Sequence, residues 1–226
     1  MGRRQMQSTQ FALALQLRLG VDVYPVSGTS PPLCPKCHDG ADVRGHHAVS
    51  CGTTSDRVIK HNSVRDIVAA AGKAAGLYTQ VELRDIVPGR RSRPGDVTLH
   101  NWVNGRTVAV DVTVVSPVVN TVVRSAALKG GAAAAAAEAR KDKHALEACR
   151  TLNIDFLPLA LVSFGGYGRR ALSFIRQLAH FVAQRSGRTR SEETRYLFQS
   201  ISVELQRGNA IMVQERVPAG VHLDDY

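Results

Sequence analysis

Two aspartates on neighbouring strands and one short run of cysteines and histidines have the types and spacing to do chemistry in this chain. Residues 96–103 and 106–115 alternate apolar and polar side chains, and Asn104-Gly105 separates them, which is the strongest short-range hairpin signal. Centring a two-residue turn on Asn104-Gly105 sets Asp96 opposite Thr113 and Thr98 opposite Asp111. Side chains alternate across a strand with period two. Asp96, Thr98, His100, Ala109, Asp111 and Thr113 therefore share a polar face, and Val97, Leu99, Val108, Val110 and Val112 share a core face. Asp96 and Asp111 become diagonal neighbours, on the order of 7 Å apart at Cβ. That spacing lets both ligate one divalent cation. Mg²⁺, or Mn²⁺ in its place, takes carboxylate oxygens, polarises a phosphoryl oxygen and lowers the pKa of an attacking water. Asp is disfavoured in strands, so two on one face call for a reason. Lying off the valine core, both are expected to tolerate truncation to Ala with the fold nearly intact. Glu82, ending the preceding strand, is a candidate third oxygen ligand. Arg90, Arg91 and Arg93 crowd the loop that delivers the chain into Asp96 and are candidate phosphate contacts.

The cysteine run reads Cys34-Pro-Lys-Cys37, nine intervening residues, His47, three more, then Cys51. Two thiolates on one tight turn followed by a close His/Cys pair is the ligand set of tetrahedral zinc. His46 precedes His47, so the spacing leaves the choice of histidine open. Four filled positions make such a site structural. Cys149 stands alone, and the pattern is not that of a secreted disulfide scaffold.

These groups need elements to position them. A helix is expected over 11–19, ended by Gly20, and Ser27-Gly-Thr-Ser-Pro-Pro breaks the chain after it. Thr54-Ser55-Asp56 caps a helix that presents Val58, Ile59, Val64, Ile67, Val68 and Ala71. Strands follow at 77–83, 96–103 and 106–115, then an Ala-rich helix over 121–152 with a possible break at Gly130-Gly131. A strand at 154–163 and helices at 168–184 and 191–207 complete the order. The sequence α-β-β-β-α-β-α after residue 54 implies a mixed α/β sandwich. Four segments are expected: an N-terminal helix and linker at 1–33, a zinc knuckle at 34–53, the α/β domain at 54–186, and a C-terminal helix and tail at 187–226. The formal net charge of +10 and a pI near 10.0 favour an anionic partner, DNA first and RNA second. No apolar run approaches membrane-spanning length, so no membrane partner is expected and an intracellular location is.

The residues also resemble a family. Arg93-Pro-Gly-Asp96, fourteen intervening residues, then Asp111-Val-Thr113 is similar to the motif of the PD-(D/E)XK restriction-endonuclease-like superfamily. Its αβββαβ core has a mixed central sheet flanked by helices. The closer resemblance is to the C-terminal endonuclease region of site-specific non-LTR retrotransposon proteins. There a similar CCHC knuckle lies just upstream, and His61-Asn62, Glu82, Phe156-Leu-Pro-Leu-Ala and Gly165-Gly166 look alike too. The resemblance covers roughly residues 34–180. It implies a Mg-dependent, nuclear endodeoxyribonuclease that nicks target DNA, with Asp96 and Asp111 on the metal and Glu82 assisting. Two departures stand out. Gly95 replaces the motif proline before Asp96, and Thr113 occupies the place of the motif lysine. In this superfamily the lysine often sits on a neighbouring helix, which makes Lys141 and Lys143 its candidates. The alternative is a catalytically silent nucleic-acid-binding module that keeps fold and knuckle.

Overall fold

The computed structural model describes residues 5–24, 33–52, 55–83, 94–119, 121–218 and 223. Its centre is the hairpin of β2 (Val97–His100) and β3 (Thr107–Val115). The Asn104-Gly105 turn forms as the sequence predicts: both residues take positive φ, 56° and 72°, and Arg106 N donates to Val103 O at 3.2 Å. The pairing beyond it differs. Val97 lies opposite Val110, Thr98 opposite Ala109 and Leu99 opposite Val108, a slip of two residues from the expected register. The cause is local. Asn101 also takes positive φ, 57°, and Trp102 N donates to Arg106 O at 2.8 Å, so the strand bulges there. Strict alternation would put Trp102 with Thr98 and His100. The bulge carries it to the valine side, where its ring meets Phe174 and Phe181, each with centroids 5.1 Å away. A slip of two keeps the paired residues 97–99 and 108–110 on their expected faces, whereas a slip of one would have inverted both. The ladder's last pair is Val97 with Val110, and Asp96 N also donates to Val110 O at 2.8 Å, so Asp96 enters beside Val110 rather than opposite Thr113.

Trp102 is the chain's single tryptophan and is 9% exposed. Trp102→Ala is expected to lower stability by roughly 3–5 kcal/mol through lost burial and the cavity left behind. Urea unfolding should show a lower midpoint at unchanged slope; a loss under about 1 kcal/mol would contradict this packing.

Strand β1 (Tyr78–Val81) pairs antiparallel with β2, and β4 (Ile154–Val162) pairs parallel with β3, giving the order β1-β2-β3-β4. The parallel step requires a crossover, supplied by helices interrupted at the expected glycines. These are α4 (Val123–Leu128) and α5 (Ala132–Thr151), with Gly131 at φ 80° between them. Helices α3 (Asp56–Ala74), α6 (Arg169–Ser186) and α7 (Arg190–Gln214) cover the valine face, where Val64, Val68, Ile175, Leu178, Ile201 and Leu205 bury against it. Thr189 and Glu192 close a capping box at the start of α7. Helix α5 covers the other face. Ala133, Ala134 and Ala137 seat on Ala160 and Val162, and Cys149 packs on Ala109 and Phe156. The alanine run thus has a packing role: small side chains bring α5 close to the sheet. The face expected to be polar is therefore roofed, and Thr98 is only 1% exposed.

The N-terminal helix α1 (Ser8–Leu19) and the short α2 (His46–Ser50) share a second core with the end of α7, through Leu13, Leu17, Val49, Ala210 and Val213. The result is an α/β protein with a four-stranded mixed sheet between helices and a Cys/His cluster near its N-terminus. Among the described residues, no helix is long and apolar enough to cross a membrane.

Candidate active site and cysteine cluster

Where β2 begins, the chain passes so close to β3 that a Cβ on Gly95 would lie 2.8 Å from Val110 O. This close approach accounts for glycine before Asp96. Asp96 N donates to Val110 O at 2.8 Å, and Val112 N donates to Asp96 Oδ2 at 2.7 Å. The carboxylate thus stands in for a backbone partner at the strand's end and is fixed by it. Its Oδ1 lies 3.3 Å from His61 Nε2, which α3 carries over the sheet. Across from it, Asp111 Oδ2 lies 2.8 Å from Lys141 Nζ of α5, an ion pair whose approach is off the axis of a hydrogen bond. Four functional groups from α3, β2, β3 and α5 therefore meet in one cavity of about 730 Å³, which Glu82 and Thr113 also line.

Burial disfavours ionisation of both carboxyls, with different outcomes. At Asp96 burial is outweighed by the hydrogen bond and charge of His61, the Val112 N–H and the Lys141 charge, and the carboxyl is held below its ordinary range. At Asp111 burial prevails over Lys141, the Asp96 charge adds to it, and the carboxyl is pushed up. Two neighbouring carboxyls driven in opposite directions are characteristic of acid–base and metal chemistry.

Glu82 sits at the rim at φ 52°, with Arg65 Nη1 2.5 Å from Oε1. Lys143, two residues from Lys141, is exposed on α5. Arg90, Arg91 and Arg93 lie outside the described residues. His61 belongs to this constellation although the sequence marked it only by likeness. Its one physical signal was position, beside the buried α3 stripe of Lys60, Val64, Val68 and Ala71.

The ligand atoms of Cys34, Cys37, His47 and Cys51 all lie within 4.8 Å of one another, and Cys37 Sγ is 3.2 Å from His47 Nε2. The structure thereby selects His47. Asp42 sets this orientation by accepting backbone N–H bonds from Arg44 at 3.1 Å, His46 at 3.0 Å and His47 at 2.5 Å. His46 turns away, its ring 6.2 Å from that of Phe164. A hydrogen bond from the Asp39 backbone favours the Cys37 thiolate, yet burial and the adjoining Cys34 and Cys51 push this thiol up to about 11. Crowded thiols of this kind give up protons to a cation, and three sulfurs with one imidazole form a set that zinc takes.

No protein-family model matches this chain, and no curated protein does either.

Proposed function

We propose that this protein is a metal-dependent DNA endonuclease of the PD-(D/E)XK type and retrotransposon origin, acting in the nucleus at Asp96, Asp111 and Lys141. The observation that carries the reading is the arrival of Lys141 from α5 at Asp111, beside Asp96, in a walled cavity. A lysine that the strand motif lacks at Thr113 is thus supplied by the crossover helix.

The donor set fits Mg²⁺ or Mn²⁺. Two carboxylates supply hard oxygens, and Mg²⁺ commonly binds through one or two carboxylates plus substrate phosphate. Asp96 and Asp111 would hold the ion, which would polarise the phosphoryl group and activate water. Asp96 is oriented by the Val112 N–H on Oδ2, so its other oxygen is presented without searching rotamers. Lys141 offsets charge that builds on the phosphate oxygens. His61 fixes the second oxygen of Asp96 and favours its ionised form. Glu82, held by Arg65, assists from the rim.

The rival is a silent DNA-binding module. It is favoured by the fact that His61 and Lys141 already engage both carboxylates. Nicking of supercoiled plasmid in Mg²⁺ or Mn²⁺, abolished by chelator, tests the proposal. Lys141→Met is expected to slow nicking about 10²–10³-fold, in line with loss of one charge-stabilising donor. If no divalent metal supports nicking while DNA still binds, the silent module is the better account.

A further inference from the structure

Lys60 immediately precedes His61 on α3, yet it points to a different end of the cavity. It is 4% exposed, and its Nζ donates to Asn209 Oδ1 of α7 at 3.0 Å. Asn209 Nδ2 in turn donates to Ser163 O at 2.8 Å, and Ser163 N donates to Val115 O at 2.9 Å. This chain of contacts places the ammonium at the C-terminal ends of β3 and β4. Val115 is four residues beyond Asp111, roughly 13 Å along the strand at about 3.3 Å per residue. Gly208 lets α7 run over the lysine stem, since a Cβ there would lie 2.7 Å from Lys60 Cδ.

The ammonium is charged without compensation. Among the described residues its hydrogen-bond partner is a neutral amide, and it has no carboxylate in ion-pair range. The charges that act on it, Arg57 and Arg216, are both positive; burial and these neighbours bring Lys60 down to about 8. A buried cation is expensive unless paired. Arg57, Ser116 and Ser163 line the same cavity, and the Ser116 hydroxyl is buried with no partner among the described residues. The group that this surround lacks is an anion with several acceptor oxygens.

We propose that Lys60, with Arg57 and the Ser116 hydroxyl, forms a second phosphate subsite, which holds a backbone phosphate of the DNA strand whose reacting phosphodiester lies at Asp96 and Asp111. This rests on the nuclease reading for the identity of the strand. Asn209 holds the free lysine in place until the phosphate arrives, and the subsite sets how the strand runs through the cavity.

The test is the salt dependence of DNA binding. Lys60→Met keeps the stem and removes the charge. Lys73→Met, an exposed lysine on α3 about 20 Å away, removes the same net charge elsewhere. Each neutralised duplex phosphate contributes about 0.9 to the slope of log K against log salt. The wild-type advantage over Lys60→Met should therefore shrink about 3.5-fold between 50 and 200 mM salt, while Lys73→Met should track the wild type. Should Lys60→Met fail to fold, the lysine ¹⁵Nζ resonance of the wild type gives the same answer: it should move on adding a DNA duplex and stay put on adding NaCl. An unchanged slope, an equal change in Lys73→Met, or an unmoved resonance overturns the subsite. The two readings fail separately. A Lys60-dependent slope in a protein that never nicks DNA leaves the subsite and removes the nuclease, and nicking with an unchanged slope does the reverse.

Discussion

Asp96→Asn and Asp111→Asn should each cut plasmid nicking by a thousandfold or more while moving thermal stability in different directions. On the proposed reading the loss follows from removing one of the two carboxylates that would hold the metal, whose transition-state charge stabilisation would be worth several kcal/mol at about 1.4 kcal/mol per tenfold in rate. The stability effects follow from the two environments. Asp96 is held below its ordinary range, so its charge favours the folded state. That contribution is present above the unfolded-state pKa and is lost as pH falls through the folded one. Asp96→Asn should therefore melt lower at neutral pH. Asp111 is pushed up, so its charge opposes folding once pH rises above its unfolded-state value. Asp111→Asn should melt at the wild-type temperature or above it. Asparagine is the proper probe because its carbonyl can still accept the Val112 N–H. The Ala variants, expected from the sequence to leave the fold nearly untouched, are not equivalent. Asp96→Ala strands that buried N–H, at a cost of about 1–3 kcal/mol. Nicking rates measured beside melting curves decide the matter. Asn variants that nick as fast as the wild type would remove both carboxylates from the active site.

Much of this arrangement was legible because it rests on parity and punctuation. The alternation of Val97, Leu99, Val108 and Val110 assigned both aspartates to one face, and a two-residue slip could not undo that. The glycine break at Gly130-Gly131 and the cysteine spacing are likewise local signals. What escaped depends on long-range packing. The bulge at Asn101 exists so that Trp102 can reach Phe174 and Phe181 on α6, a helix some seventy residues on. The choice of Lys141 over Lys143 as the group at Asp111 depends on the rotation of α5, which Arg170 sets through Asp142 at 2.8 Å and Phe156 O at 2.6 Å. Nothing local in Arg140-Lys-Asp-Lys143 reveals that rotation. Lys60 was missed, and His61 was marked only by likeness, for the same reason: their partners, Asn209 and Asp96, are far along the chain.

Purified protein should carry one zinc per chain, and stripping it should unfold more than the knuckle. The binding free energy of a structural zinc, about 10–16 kcal/mol in small domains, rivals the whole stability of a typical fold. Here the cluster is tied to its surroundings at two points. Gly45, at the head of α2, sits where a Cβ would meet Val23 at 2.8 Å and Leu17 at 3.1 Å, so α1 packs directly on the turn. Cys51 is in contact with Arg216, which is fully buried and donates to Asp56 Oδ2 at 2.6 Å and Met212 O at 3.0 Å. Asp56 opens α3, the helix that carries Lys60 and His61 to the cavity. Loss of the metal should thus loosen α1, the end of α7 and the start of α3 together. Elemental analysis should give one zinc in the wild type and none in Cys34→Ala/Cys51→Ala. Hydrogen exchange in the stripped protein should quicken across residues 8–19, 56–60 and 205–216, while β3 and β4 stay protected. Full zinc occupancy in the double variant would refute the ligand set. Faster exchange confined to residues 34–51 would show instead that the knuckle stands apart from the helices it touches.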